Sequence, residues 1–228
     1  MKKIKNYYIP NDDKHFEEYL SVFDHYQEAQ RNRALSHVDD WGIALDIGAN
    51  IGLWSKDLTK FFAKTICFEP NINCIDCLKK NITNSKAEIY SLALGSKDTT
   101  GYLYCPESTG GSSLINKTKF LGYNNSGKEL WDNFETNVSK QKVEIKTLDS
   151  FRLKNISFIK IDVQHYEYEV LKGAIETLKN NDPVICIEEY KDNLEDSDEI
   201  KFLKLLKFNV IDRIGKEVIL KKNFEELQ

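Results

Sequence analysis

From residue 43 onward, short apolar runs alternate with stretches whose apolar residues recur every three to four positions. Runs of four to eight such residues predict buried strands, and the stretches between them predict helical crossovers. The expected strands are 43–47, 65–69, 87–94, 156–163 and 183–189. Trp54, Leu58, Phe61 and Phe62 mark a helix after the first strand; Ile72, Ile75, Leu78 and Ile82 mark another over 71–83. Val170, Leu171, Ala174, Ile175 and Leu178 mark a third. Ile200, Leu203 and Leu206 mark a fourth, opened by an Asp196–Glu199 capping pattern. The chain closes on two strand-like runs joined at Ile214–Gly215, a hairpin. Five strands with crossovers and a terminal hairpin predict an α/β fold. The sheet is doubly wound and Rossmann-like, with seven strands and an antiparallel last strand.

Two segments fall outside the alternation. Residues 12–38 read as a helix with Phe16, Tyr19, Leu20, Phe23 and Tyr26 on one side. The expected organisation is thus an N-terminal helical segment, 1–40, covering the site of a domain over 41–228. Residues 96–146 interrupt the sheet with "STGGSSL" and "GYNNSGKELWDNF" and show little periodicity. An insert at the carboxyl ends of parallel strands lies over the ligand crevice, so it is expected to be a substrate lid.

The first strand runs into "ALDIGANIGLWS", where an acid, Asp46, stands at the mouth of a glycine turn. Gly48 and Gly52 let a ligand approach the backbone, with Ala49 and Asn50 between them. A dinucleotide fingerprint would read G-x-G-x-x-G. Here the middle glycine is Asn50, and Asp46 would put negative charge beside a pyrophosphate. A cationic ligand suits the turn better. Glu69 ends the second strand ahead of Pro70 and Asn71, placed to accept hydrogen bonds from both hydroxyls of a ribose. S-adenosylmethionine, with a sulfonium, an amino group and a ribose, matches this set; NAD matches it less well. Ala93 follows the third strand, where backbone would touch adenine. Asp162 at the end of the fourth strand and Glu188 or Glu189 at the end of the fifth face the same crevice, as acceptor ligands or a general base.

The 228 residues carry a net charge of −4, which disfavours nucleic acid as the main partner. No run approaches a membrane span, and the start of the chain lacks a signal-peptide core. Five scattered cysteines fit a reducing cytoplasm. Cys74 and Cys77 read as packing beside a helical stripe rather than as zinc ligands, and no cluster has metal-ligand spacing. His15, His25 and His37 read as surface or helix-packing residues; Arg31 and Arg33 read as a solvated face, the alternative being a substrate-anion role where the N-terminal helix covers the site.

"LDIGANIGLWS" followed by "CFEPN" resembles the S-adenosylmethionine-dependent methyltransferases of the FkbM family. "SLALG", "GGSSL", "TLDSF", "FIKIDVQHYEYEVLKGA" and "CIEEY" extend the resemblance, in order, over roughly residues 40–190. It implies methylation of a hydroxyl or amine on a small molecule or glycan. The family's fourth-strand block usually reads Asp-Val-Glu-Gly; here Gln164-His165 replaces Glu-Gly. His165, three residues past Asp162, is expected to be the general base, with Asp162 orienting it or holding the acceptor. The competing expectations are an NAD- or nucleotide-sugar-dependent enzyme and a non-catalytic nucleoside-binding module.

Overall fold

The computed structural model describes residues 1–105, 111–114, 122–123, 129–130 and 138–222. The chain opens with the hairpin β1 (Lys2–Ile4) and β2 (Tyr7–Ile9), then α1 (Lys14–Val22) and α2 (Glu28–Leu35). Next come β3 (Ile43–Ile47), α3 (Ser55–Phe61), β4 (Lys64–Phe68), α4 (Ile72–Asn81), β5 (Ala87–Tyr90), β6 (Ala93–Leu94) and β7 (Thr99–Cys105). β8 (Gly122–Tyr123), β9 (Glu129–Leu130) and β10 (Ser139–Lys146) precede β11 (Ile156–Ile161), α5 (Glu167–Lys172), α6 (Ile175–Asn180) and β12 (Val184–Glu188). α7 (Asp198–Leu205), β13 (Phe208–Ile214) and β14 (Glu217–Lys222) close the described chain.

The main sheet has seven strands in the order β13-β14-β12-β11-β3-β4-β5. The five central and right-hand strands are parallel, and β14 runs antiparallel to both its neighbours, β12 and β13. This is the expected doubly wound sheet. Both faces are covered, which is why the strands read as apolar runs rather than as alternating ones. Leu45, Ile47, Ile159, Ile161, Ile185 and Ile187 pack on Val170, Leu171, Leu178, Ile200 and Leu203 of α5 to α7. Ala44, Phe158, Val184 and Cys186 pack on Leu35, Leu58 and Phe62 on the side of α2 and α3. Each fully buried side chain of this size contributes about 1.5–3 kcal/mol.

Five expectations need correction. The strand read over 87–94 is two strands: β5 stays in the main sheet, whereas β6 pairs with β10. The insert is not irregular throughout. β7 and β10 form a long antiparallel pair that turns Leu103, Cys105, Val143 and Ile145 to one buried face, a period-two pattern present in "TTGYLYC" and "SKQKVEIK". The remainder of the insert, 106–110, 115–121, 124–128 and 131–137, on which the lid expectation mostly rests, lies outside the described residues. The helix over 12–38 breaks in two around Gln27, whose φ is 46°. Tertiary contacts hold the break: Trp54 Nε1 donates to Gln27 Oε1 at 2.7 Å, and Arg31 Nη1 donates to the Tyr26 carbonyl at 2.8 Å. Arg31 is therefore no surface residue; it is buried and pairs with Asp57 at 2.6 Å. Finally, α7 is capped by Ser197, whose side chain accepts from the Ile200 N–H, not by Asp196. Cys74 and Cys77 are buried in the cluster that holds Tyr7, Ile9, Phe16 and Leu20.

The ends of β3 and β11 touch. Gly48 has φ 83°, and a Cβ there would sit 1.9 Å from the Asp162 carbonyl oxygen. Gly48→Ala is expected to cost at least about 3 kcal/mol, because left-handed strain and a backbone clash act together. Gly215→Ala, at φ 62° with nothing within 4 Å, is expected to cost only about 1 kcal/mol. Urea unfolding of the two variants checks this, and equal losses would show that the strand-end contact contributes nothing.

Candidate active site

A cleft of about 970 Å³, counting space open to solvent, lies beyond the carboxyl ends of the parallel strands. Asp46, Gly48, Ala49, Asn50, Glu69, Pro70, Ala93, Asp162 and Glu188 all line it. Gly52, Asn71 and His165 are not among the lining residues. Phe16, Tyr26 and Gln27 reach it from the N-terminal segment, and Leu103, Ser112 and Ser113 from the insert.

The glycine turn is locked to its neighbour strand, since the Gly48 and Ala49 N–H groups both donate to the Phe68 carbonyl at 2.9 and 3.1 Å. Asn50 takes the left-handed conformation, φ 51°, and its N–H donates to Glu69 Oε2 at 2.7 Å. The Asn71 N–H donates to Glu69 Oε1 at 2.6 Å. Two backbone donors thus aim the Glu69 carboxylate along the cleft. Burial pushes that carboxyl up to about 7, against the pull of the two N–H bonds. Gly52 and Asn71 work from behind. A Cβ on Gly52 would stand 2.7 Å from Leu78 Cδ1, so the glycine lets α4 pack against the turn. Asn71 caps α4 by accepting from the Asn73 N–H at 3.0 Å, and its Nδ2 donates to Ser112 Oγ at 3.0 Å.

Asp46 is 1% exposed. Its Oδ2 accepts from the Ser55 hydroxyl, whereas its Oδ1 is buried with no hydrogen-bond partner among the described residues. Burial raises its carboxyl, opposed by Lys160 and Ser55. Sequence reasoning missed Lys160. Strand register sets Cys67, Asp46, Lys160, Cys186 and Ile219 in one row across the sheet. The Lys160 ammonium lies 5.3 Å from the centre of the Trp54 ring and 3.0 Å from Asp162 Oδ2. Burial disfavours that charge, but Asp162, Asp46 and Glu217 outweigh burial and hold the ammonium above its usual range. The signal was a lysine inside "ISFIKIDV", an apolar run that two-sided burial would otherwise keep uncharged.

Asp162 and Glu188 come together through Gln164, whose Nε2 donates to Asp162 Oδ1 at 2.9 Å and to Glu188 Oε2 at 3.1 Å. Burial raises the Asp162 carboxyl, but Lys160 and Gln164 more than offset that and hold it below the ordinary range. Glu188 goes the other way. Burial first, then Asp162 and Glu217, push it up to about 8. Glu217 is its cross-strand partner, a like charge directly opposite. Gln164 and His165 both have positive φ, 56° and 75°. The His165 ring stacks on Tyr190 with centroids 4.8 Å apart. His165 is therefore placed beside the cleft and not along it, while Gln164 and Tyr166 on either side of it do line it.

The methyltransferase FkbM domain matches residues 46–210. Methyltransferase sdnD of Sordaria araneosa is 34% identical over 155 residues, which are 58% of this chain and 60% of that relative. The chain thus matches less than two thirds of that relative's length. Methyltransferase FkbM from Methylobacillus flagellatus has a TM-score of 0.52 at 14% identity, covering 79% of this chain and 44% of that one. Precorrin 8w decarboxylase from Methanobacterium thermoautotrophicum has a TM-score of 0.50 at 10% identity, covering 97% and 98%. The two structural likenesses show a shared fold. With a family match over residues 46–210 that takes in the glycine turn, Glu69, Asp162 and Glu188, the chain belongs to the FkbM methyltransferase family.

Proposed function

We propose that the cleft binds S-adenosylmethionine and that the chain transfers its methyl group to a hydroxyl of a small molecule or glycan. The observation that carries the reading is the buried Asp46 Oδ1, without a hydrogen-bond partner among the described residues, in the same cleft as a Glu69 carboxylate held by two backbone N–H groups. These two acids fit the cofactor's polar parts: Glu69 suits the ribose hydroxyls, and Asp46 suits a cationic or amino group. A pyrophosphate would instead meet Asp46, Glu69 and Asp162, and Asn50 puts a side chain where a dinucleotide loop has glycine. That disfavours the NAD reading.

Bound there, the cofactor supplies a methyl group on a sulfonium sulfur, which departs as a neutral thioether. The chain's own residues position the acceptor and take its proton. Asp162 and Glu188 present the acceptor-facing carboxyl groups, and the charge on Asp162 favours a neutral acceptor over an anionic one. Glu188, at about 8, is the better matched to accept a proton near neutral pH; Asp162, held low, is the weaker base. Phe16, Tyr26 and Gln27 wall the cleft from the N-terminal side and exclude water.

S-adenosylhomocysteine is expected to raise the melting temperature, and NAD is not. Glu69→Ala should remove most of that shift; a shift with NAD alone would sink the reading. Cofactor affinity is also expected to depend on pH. Ribose hydroxyls donate to the ionised form of Glu69, whose carboxyl titrates at about 7. Binding therefore strengthens as pH rises from about 6 to 8, with proton release, and Glu69→Gln should flatten the dependence. Titration calorimetry in buffers of different ionisation enthalpy checks both points. Once screening for S-adenosylhomocysteine release finds an acceptor, Glu188→Gln should lower kcat by at least about tenfold. His165→Ala should leave kcat within about threefold, and the reverse order would return the base role to His165.

A further inference from the structure

Among the described residues that line the cleft, the buried lysine is Lys160, and its geometry gives it a part in the chemistry. Lys160 rises from near the carboxyl end of β11 beneath the cleft floor, with 4% of its side chain exposed. Trp54 covers it from α3's end of the turn, and Asp46 flanks it from the adjoining strand. Its ammonium reaches one oxygen of Asp162, and Gln164 holds the other oxygen while also bonding Glu188. The two carboxylates are therefore not equivalent. Asp162 has a full cation on it; Glu188 has an amide donor, the Tyr190 hydroxyl, and a like-charged neighbour in Glu217.

We infer that Lys160 is a positioning residue that assigns the two carboxylates their roles: by pairing with Asp162 from below, it keeps that group ionised and leaves the proton, with the acid-base function, to Glu188. The inference rests on the methyl-transfer reading for its purpose, but the proton distribution stands on the geometry alone. Two carboxylates bridged by one amide cannot both be ionised cheaply, so one takes a proton, and the side that holds a cation is the side that stays charged. With the cofactor bound, methyl transfer to the acceptor oxygen would release a neutral thioether, and the acceptor's hydroxyl proton would pass to Glu188 in its ionised form, the resting proton having first left to solvent. The charged groups facing Asp162 are Lys160 on its own strand, Asp46 on β3, Glu69 after β4, Glu167 on α5, Glu188 on β12 and Glu217 on β14. Tyr26 and Tyr190 also face it, and both phenols are raised, by burial first and then by these carboxylates. Lys160 is the cation among these described groups, so removing it leaves only acids facing Asp162.

The test needs neither cofactor nor acceptor. Carboxyl-13C NMR titration of the full chain, labelled at Asp and Glu, reads each midpoint, with Asp162→Asn and Glu188→Gln assigning the two resonances. In the wild type, Asp162 should titrate below the ordinary aspartate range, and Glu188 should titrate near 8. In Lys160→Met, the Asp162 midpoint should rise by at least about one pH unit, and Lys160→Arg should restore it to within roughly 0.3. Should Lys160→Met fail to fold, Asp162→Asn is the second arm: Glu188 should then fall by at least about one unit, because the charge that raised it is gone. An unmoved Asp162 in folded Lys160→Met, an unmoved Glu188 in Asp162→Asn, or a wild-type Glu188 in the ordinary carboxylate range would each overturn the inference. The S-adenosylhomocysteine melting shift is measured on the same samples. Its absence in the wild type would sink the methyl-transfer reading and leave the titration result standing.

Discussion

The ammonium of Lys160 makes the acid-lined cleft possible. Asp46 and Asp162 stand at the ends of adjoining parallel strands, both largely shielded from water, and Glu188 and Glu217 face each other one strand further on. An isolated ion in such a place costs several kcal/mol after relaxation. A cation in the same row of the sheet offsets that cost for its neighbours. Carboxylates beyond its direct reach respond by gaining protons, as burial and repulsion do to Glu188. Charge is thus held where a carboxylate pairs directly with that ammonium, as at Asp162, whereas burial still raises Asp46 and Glu188.

The backbone around this centre is under strain, and the strain lies where the ligand would sit. Gly48 is forced by the Asp162 carbonyl, which leaves no room for a Cβ. Asn50, Gln164 and His165 take left-handed conformations without being glycine. The family pattern has glycine at the position of His165, where φ is 75°, and that is the residue such a φ favours. This chain accepts the strain there, about 1 kcal/mol or more, and Tyr190 stacks on the ring that results. The family's Glu at position 164 would add a third carboxylate between Asp162 and Glu188. Gln164 supplies an amide donor to both instead.

The N-terminal segment completes the cleft from outside the region that matches the family. Its two helices are held apart at Gln27 by contacts with Trp54 and Arg31, and the break is what delivers Tyr26 and Gln27 to the cleft. A continuous helix would have carried both past it.

Much of this was legible in the sequence, and the rest was not, for identifiable reasons. Apolar runs report burial on both faces, so the parallel strands, their crossovers and the terminal hairpin followed from the pattern alone. Asp46, Gly48, Asn50 and Glu69 were readable because a strand end, a turn and an acid are local features. The break in the N-terminal helix was not readable, since helical spacing continues through it and only distant partners, Trp54 and Asp57, reward the interruption. The β7–β10 pair was hidden by the glycine-rich stretch between its strands, although each strand alternates on its own. The protonation of Asp162 and Glu188, and the placement of His165 beside the cleft, were beyond the sequence as well. Spacing puts all three near a strand end, but a pKa depends on which charges the sheet register sets alongside. The sequence by itself determined where polar groups meet the edge of an apolar core. Only the tertiary structure decided which of them hold charge, because the field at each carboxylate comes from strands far apart in the chain.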